Sequence, residues 1–283
     1  MIQESTDSNI TLLKVHELNQ IPKITTVRGI ARHVGTTSVV ANLALLLAER
    51  GAKVLALDLS LWNSDLTLSL GHTPDLALVD LADSFDASGH LSLNSIASRT
   101  RTCKLNLDLL PGSQLWLASP SLRAENGWNF IKTLLISARE HWDTIVADLG
   151  AHSSSTNTRE NIFFAQCAIH AALLQTAHSI VGVCDSIEYP RLWQELNGNT
   201  TTLKQTIFVV NHHHKEFPLG LDQFKLDKVM RAQSYFIPPV KRGLIAKRDQ
   251  LFFVERFTKV MQASSNERQA LQAIQNLAER VHR

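Results

Sequence analysis

Cysteine is scarce in this sequence. Cys103, Cys167 and Cys184 are the only three among 283 residues, far apart and odd in number. That excludes a disulfide framework and a cysteine-rich zinc module, and it fits a reducing compartment. A surplus of charge is also missing: 28 Lys and Arg stand against 26 Asp and Glu, so the bulk charge singles out no nucleic-acid partner. Charged residues make up 19% and apolar residues 44%, which excludes a disordered chain. The longest uncharged run, Asn161 to Cys184, is interrupted by Gln166, His170, Gln175, His178 and Ser179, all costly in hydrocarbon. It reads as a buried helix running into a buried strand. The first residues carry Glu4 and Asp7 and no apolar segment, so a secretory leader is not expected. A soluble, cytoplasmic protein is expected on these grounds.

What is present is alternation. Residues 1–22 read as a polar arm with a short strand at Ile10–Val15, and residues 23–283 as one domain. Ile24–Val27 predicts a strand. Val39–Glu49 predicts a helix, from Val39, Val40, Leu43, Leu46 and Leu47 at helical spacing and from Gly51 as its stop. Lys53–Leu59 carries the unbroken apolar run of a strand buried on both faces. Further strands are expected at Leu105–Leu110, Thr144–Asp148, Ser179–Cys184, Ile207–Val210 and Phe236–Ile237. Helices are expected at Leu76–Phe85, Trp128–His141, Ile162–Gln175, Tyr189–Leu196 and Leu221–Ala232, with two more after Gln250. This alternation predicts an α/β fold, a mainly parallel sheet with helices on both faces.

The informative segment joins the first strand to the first helix: Val27-Arg28-Gly29-Ile30-Ala31-Arg32-His33-Val34-Gly35-Thr36-Thr37-Ser38. A loop in that position presents backbone N–H groups and a helix N-terminus to anionic oxygens. The segment, with Asn42-Leu43-Ala44 and Gly51-Ala52-Lys53-Val54-Leu55-Ala56-Leu57-Asp58 after it, resembles the ParA/MinD group of deviant Walker A ATPases, whose pattern is K-G-G-x-G-K-T-T, N-L-A and G-x-K-V-L-L-x-D-x-D. The resemblance runs from Ile24 to about Phe257 and implies the three-layer sandwich of P-loop NTPases. It implies ATP and Mg²⁺ as cofactors. Gly35, Thr36, Thr37 and Ser38 then belong to the phosphate loop, Asn211 reads adenine, and Thr37, Asp58 and Asp148 serve the metal. Trp142 to Gly150 looks like the Walker B strand, and Ile237-Pro238 the segment that closes over the base.

The departures decide the chemistry. Ala31 takes the signature lysine's position, Arg32 and His33 replace the paired glycines, and Thr36 replaces the loop lysine. Ser60 replaces the second acid of D-x-D, which in the family helps position the attacking water; Asp58 is left as the one catalytic candidate. Hydrolysis is therefore expected to be slow or absent. Arg28 or Arg32 is available to replace part of the missing charge, without copying a lysine's geometry. His33 restricts the backbone angles that an anion nest needs. A lysine-free R-G-G-V-G-T-T loop is similar to the TadZ/CpaE proteins of pilus assembly and the BcsQ proteins of cellulose secretion. Here Arg28-Gly29 and Val34 to Ser38 align with that form across an insertion of Ile30 to His33.

Each feature also has a plain structural reading. The loop orders a helix start and binds nothing; Asp58 and Asp148 cap the segments after their strands; the three cysteines are small buried residues. His212-His213-His214 reads as solvated loop, since consecutive residues of an extended segment cannot share one ligand face. Lys241, Arg242, Lys247 and Arg248 belong to a basic stretch that is either a DNA-binding or a partner surface. Ser265–Arg283 is amphipathic along Leu271, Ile274, Leu277 and Val281 and is expected to pack on the domain rather than enter a membrane. The resemblance implies a homodimeric positional or assembly factor for a pilus or polysaccharide secretion machine, recruited by its partners to a pole or the inner membrane. The competing functions are an active ATPase that partitions cargo on DNA and a nucleotide-free scaffold.

Overall fold

The computed structural model describes residues 23–31, 33–60, 64–113, 124–151, 176–185, 205–211, 233–238 and 265–282. Its strands are β1 (Lys23–Gly29), β2 (Val54–Asp58), β3 (Arg101–Lys104), β4 (Leu107–Leu110), β5 (Thr144–Ala151), β6 (Ser179–Cys184), β7 (Gln205–Val210) and β8 (Gln233–Phe236). The described helices are α1 (Thr36–Glu49), α2 (Asp65–Ser69), α3 (Ala77–Ser88), α4 (Leu93–Ala97), α5 (Ala124–Ala138) and α6 (Ser265–His282). The strands form one sheet in the order β3-β4-β2-β5-β1-β6-β7-β8, parallel throughout except for the antiparallel pair β3–β4.

Burial follows from composition. β2 (Val-Leu-Ala-Leu-Asp) is apolar at all but its last position and buried along its whole length, while β1 (Lys-Ile-Thr-Thr-Val-Arg-Gly) is buried from Ile24 onward with only two apolar side chains. The chain leaves β1 for β2 in one direction across the sheet through α1, and returns from β4 to β5 in the other through α5. Right-handed crossovers place those two helices on opposite faces, which gives the expected three layers. Helix α1 is buried from Val39 through Ala48. Trp142 anchors the start of β5: its ring is buried, and Nε1 donates to Asp108 Oδ2 on β4 at 2.9 Å.

The apolar stripe of α6 lies against the domain, as expected: Ile274, Leu277 and Val281 are buried and Leu271 half-buried. Arg50 at the end of α1 pairs with Glu279 at 3.3 Å, and Lys23 Nζ donates to the His282 carbonyl. Among the described residues no helix is long and apolar enough to cross a membrane.

Several boundaries differ from the sequence expectation. The strand predicted from Leu105 begins at Leu107, because Leu105 and Asn106 form the turn of the β3–β4 hairpin, with Asn106 left-handed at φ 63° and Leu105 exposed. The edge strand β3 and the short helices α2 and α4 were not expected; four or five residues carry too little periodicity to announce themselves. The helix expected from Trp128 to His141 runs from Ala124 to Ala138, and the strand expected at Phe236–Ile237 covers Gln233–Phe236. The arm 1–22 and the helices expected at Ile162–Gln175, Tyr189–Leu196 and Leu221–Ala232 lie outside the described residues.

Candidate functional site

Register brings two acids together at the carboxyl edge of the sheet. Asp58 closes β2 and Asp148 lies in β5 as its direct partner, while Val27 of β1 pairs with Asp148 on the other side. In open α/β sheets, ligands bind in the crevice beyond this edge. The loop between β1 and α1 rises from the same place.

That loop is held by apolar anchors and one amide. Ile30 and Val34 are buried, and Ile30 N donates to Val183 O, which extends the pairing with β6 by one residue. Gly35 precedes α1 in the left-handed conformation, φ 87°, with no side-chain cap on the helix. Asn211, at the end of β7, donates from Nδ2 to the Val34 carbonyl at 2.8 Å and lies so close that a Cβ on Gly35 would overlap it. His33 adopts φ 65°, so the left-handed turn expected of the paired glycines survives despite the side chain. His33, expected to restrict that conformation, adopts it; a left-handed non-glycine residue costs about 1–2 kcal/mol, which the anchored loop sustains.

The first turn of α1 meets the sheet through one hydrogen bond: Thr37 Oγ1 donates to Asp148 Oδ2 at 2.8 Å. Asp148 Oδ1 accepts from Gly150 N at 2.8 Å. Burial pushes the Asp148 carboxyl up to about 7, and the nearby Asp58 adds to the rise. Thr36 is buried, with its hydroxyl against Gly29, where a Cβ would overlap it. The position of the loop lysine is thus filled by a short side chain turned into the loop.

Asp58 is used differently. Its Oδ2 accepts from Thr67 N at 2.8 Å and from Thr67 Oγ1 at 2.7 Å, and its Oδ1 from Ser60 N at 3.2 Å. Thr67 is the third residue of α2, whose own N-cap, Ser64, makes no side-chain cap. Asp58 therefore supplies the acceptor that a free N–H of the first helical turn needs. Burial pushes its carboxyl up to about 6, against the lowering effect of these donors.

The other expected residues fall as follows. Arg28 is buried in β1, beside Gly182 of β6. Alternation puts it on the face opposite Val27, and hence opposite Asp148 and α1, so it does not take the loop lysine's place. Ser60 is buried against Gly150, where a Cβ would come within 2.7 Å of its Oγ. Ser38 accepts at its carbonyl from Asn42 Nδ2 at 2.7 Å, inside α1. Cys184 is buried in β6, and burial, with help from Asp108, pushes the half-buried Cys103 thiol up to about 12, which disfavours its thiolate. Arg32, Cys167, His212 to His214, and Lys241, Arg242, Lys247 and Arg248 lie outside the described residues. Thr67 went unnoticed in the sequence; no local signal marks a threonine that will meet an acid nine residues before it.

The donor set fits a hard divalent cation in part. Thr37 Oγ1 and Asp148 offer adjacent oxygens, and an ion so held keeps most of its water. Among the described residues no three His, Cys, Asp or Glu side chains converge as a protein cage. The uncapped α1 N-terminus after Gly35, with no acid in its first turn, fits a phosphate by geometry, without the lysine that would compensate its charge.

No protein-family model and no curated protein sequence matches the chain. Solved structures do. A ParA family ATPase from Chlorobium tepidum TLS matches over 92% of this chain and 98% of its own, with TM-score 0.66 and 17% identity. The septum site-determining protein MinD from Pyrococcus horikoshii OT3, complexed with Mg-ADP, matches over 92% and 95%, with TM-score 0.64 and 20% identity. An ATP complex of a Cyanothece McdA variant matches over 92% and 96%, with TM-score 0.65 and 16% identity. The chain thus has the fold of the ParA and MinD ATPases, a mainly parallel α/β sandwich of the P-loop type.

Proposed function

We propose that this protein is a ParA/MinD-like regulatory switch with a degenerate site, which binds ATP and Mg²⁺ weakly and hydrolyses ATP slowly or not at all. The observation that carries the reading is the Thr37–Asp148 hydrogen bond beneath an uncapped helix start, in a loop where Thr36 stands in place of the lysine. The hydroxyl and the acid that serve Mg²⁺ are kept. The charge that compensates a triphosphate is lost at Thr36, and a charge-assisted contact of that kind contributes about 1.5–3 kcal/mol. Asn211 stands at the β7 end, where the resemblance puts the adenine-reading residue.

With turnover impaired, function comes from dimerisation and partner binding. The Arg28-Gly29 and Val34-Gly35-Thr36-Thr37 segments, similar to those of pilus and cellulose-secretion proteins, support a role as an assembly or positional factor for an envelope secretion machine. The protein works in the cytoplasm and reaches the inner membrane or a pole through its partners. The basic stretch containing Lys241, Arg242, Lys247 and Arg248 is the partner or DNA surface in this reading.

Titration of the full chain with ATP and ADP, with and without Mg²⁺, while mass is followed by light scattering, tests it. Mg²⁺-dependent ATP binding that converts monomer to dimer supports the switch. A constitutive dimer that ignores millimolar ATP identifies a nucleotide-free scaffold instead. Fast turnover with salt-sensitive DNA binding identifies a partition ATPase.

A further inference from the structure

Asn211 is fixed by two strands before it reaches the loop. It directly follows β7, and its backbone N donates to Cys184 O at the end of β6 at 2.8 Å. From there Nδ2 donates to the Val34 carbonyl at 2.8 Å, a bond between residues 177 apart in sequence. Gly35 makes the approach possible, since a Cβ there would overlap Nδ2. Asn211 and Val34 are both buried, so the bond is shielded from water.

A peptide is planar and trans, so the Val34 carbonyl and the Gly35 N–H point in opposite directions. With the carbonyl drawn onto Asn211, the Gly35 N–H is turned away from it. Gly35 is left-handed at φ 87°, and glycine takes positive and negative φ about equally well. Nothing in Gly35 itself therefore stops this peptide from turning over. A turned peptide presents a carbonyl oxygen in place of the N–H, which repels an anion where the N–H attracts one.

We propose that Asn211 is a positioning residue for the loop: its side-chain amide locks the Val34–Gly35 peptide with the N–H available to an anion, so the loop's affinity for a phosphate chain depends on Asn211 even when the ligand carries no base. The inference rests on the reading of this loop as the triphosphate site. It gives Asn211 an action through the loop, separate from the adenine contact that the resemblance implies. With Thr36 in place of the lysine, backbone N–H groups carry more of the anion's binding, and the orientation of one peptide weighs more.

The test is calorimetric titration of the full chain with inorganic tripolyphosphate and, separately, with ATP, both with Mg²⁺, for the wild type and Asn211→Ala. Asn211→Ala is expected to bind tripolyphosphate about tenfold more weakly, the equivalent of one hydrogen bond to a charged group. The Gly35 amide resonance is expected to shift with tripolyphosphate in the wild type and to stay in place at the same concentration in Asn211→Ala. A merely structural role lowers the unfolding midpoint and leaves the affinity of the folded protein unchanged. Equal tripolyphosphate affinity in a folded Asn211→Ala and the wild type therefore overturns the proposal, and a loss confined to ATP makes Asn211 a base reader only. A wild type that binds ATP but not tripolyphosphate overturns the proposal and leaves the switch standing. Asn211-dependent tripolyphosphate binding in a protein that ignores ATP supports the proposal and removes the switch, and a wild type that binds neither overturns both. Should Asn211→Ala fail to fold, hydrogen exchange of the Asn211 side-chain amide in the wild type decides: protection that survives saturating tripolyphosphate supports the proposal, and protection lost on binding overturns it.

Discussion

Thr37 donates its hydroxyl to Asp148 at 2.8 Å, and that bond joins the first turn of α1 to β5, the strand beside the one from which the loop departs. It links the uncapped start of a helix to a buried carboxylate, whose pKa burial raises against the lowering effect of this bond.

Both acids gain protons on folding. Burial raises Asp148 to about 7 and Asp58 to about 6, from an ordinary 3.8. A carboxyl whose folded value lies above its unfolded one stabilises the fold below the unfolded value, and that stability is lost as pH rises through the folded value. Thermal stability without Mg²⁺ is therefore expected to fall between pH 4 and pH 7 and to level off above. Asp148→Asn is expected to flatten the upper part of this slope, as differential scanning calorimetry across that range will show. A slope unchanged by the substitution contradicts the assignment to Asp148.

The loop lysine can be restored. Thr36→Lys is expected to tighten ATP binding by about 10- to 100-fold, the equivalent of one charge-assisted contact, measured by isothermal titration calorimetry. Ser60→Asp in the same background tests turnover separately. Its carboxylate has to leave the surface of Gly150 to act, so the single substitution is expected to raise hydrolysis little.

Gly35→Ala is expected to destabilise the fold by about 1–3 kcal/mol in urea denaturation, from its left-handed φ of 87° and from overlap with Asn211. The double variant Gly35→Ala with Asn211→Ala is expected to recover the overlap part and keep the φ part. Strict additivity of the two losses shows that the side chains do not meet.

The amphipathic α6 offers a last check. Leu277 is fully buried against the domain, so Leu277→Ala is expected to cost about 2–5 kcal/mol. The half-exposed pair between Glu279 of the same helix and Arg50 at the end of α1 is expected to contribute less than about 1 kcal/mol, and less still in high salt. Urea midpoints of Leu277→Ala and Glu279→Gln measure both. A Leu277→Ala protein as stable as the wild type but deficient in vesicle binding reverses the assignment and makes the stripe a membrane face.

Local pattern was enough for the strand–helix alternation, because a buried strand and a buried helix each need a run of apolar residues at a fixed period. Val54 to Leu57 and Val39 to Leu47 carry such runs, so β2 and α1 were legible with their burial. So was the place of Asp148 in an apolar strand and of Gly35 ahead of a helix, although that helix begins at Thr36 rather than Val39 and takes Thr37 into its first turn. The partners of these residues were not legible. Asp58 meets Thr67 nine residues on, Gly112 bonds Thr67 across 45 residues, and Asn211 reaches Val34 across 177. Periodicity says which face a side chain takes. It does not say which distant group waits on that face, because sheet order and crossover direction bring the elements together. The face of Arg28 relative to Asp148, the capture of Asp58 by α2 and the closing of Asn211 onto Gly35 were decided only when the strands took their order, since each needs a hydrogen bond or a close approach between segments that no local energy connects.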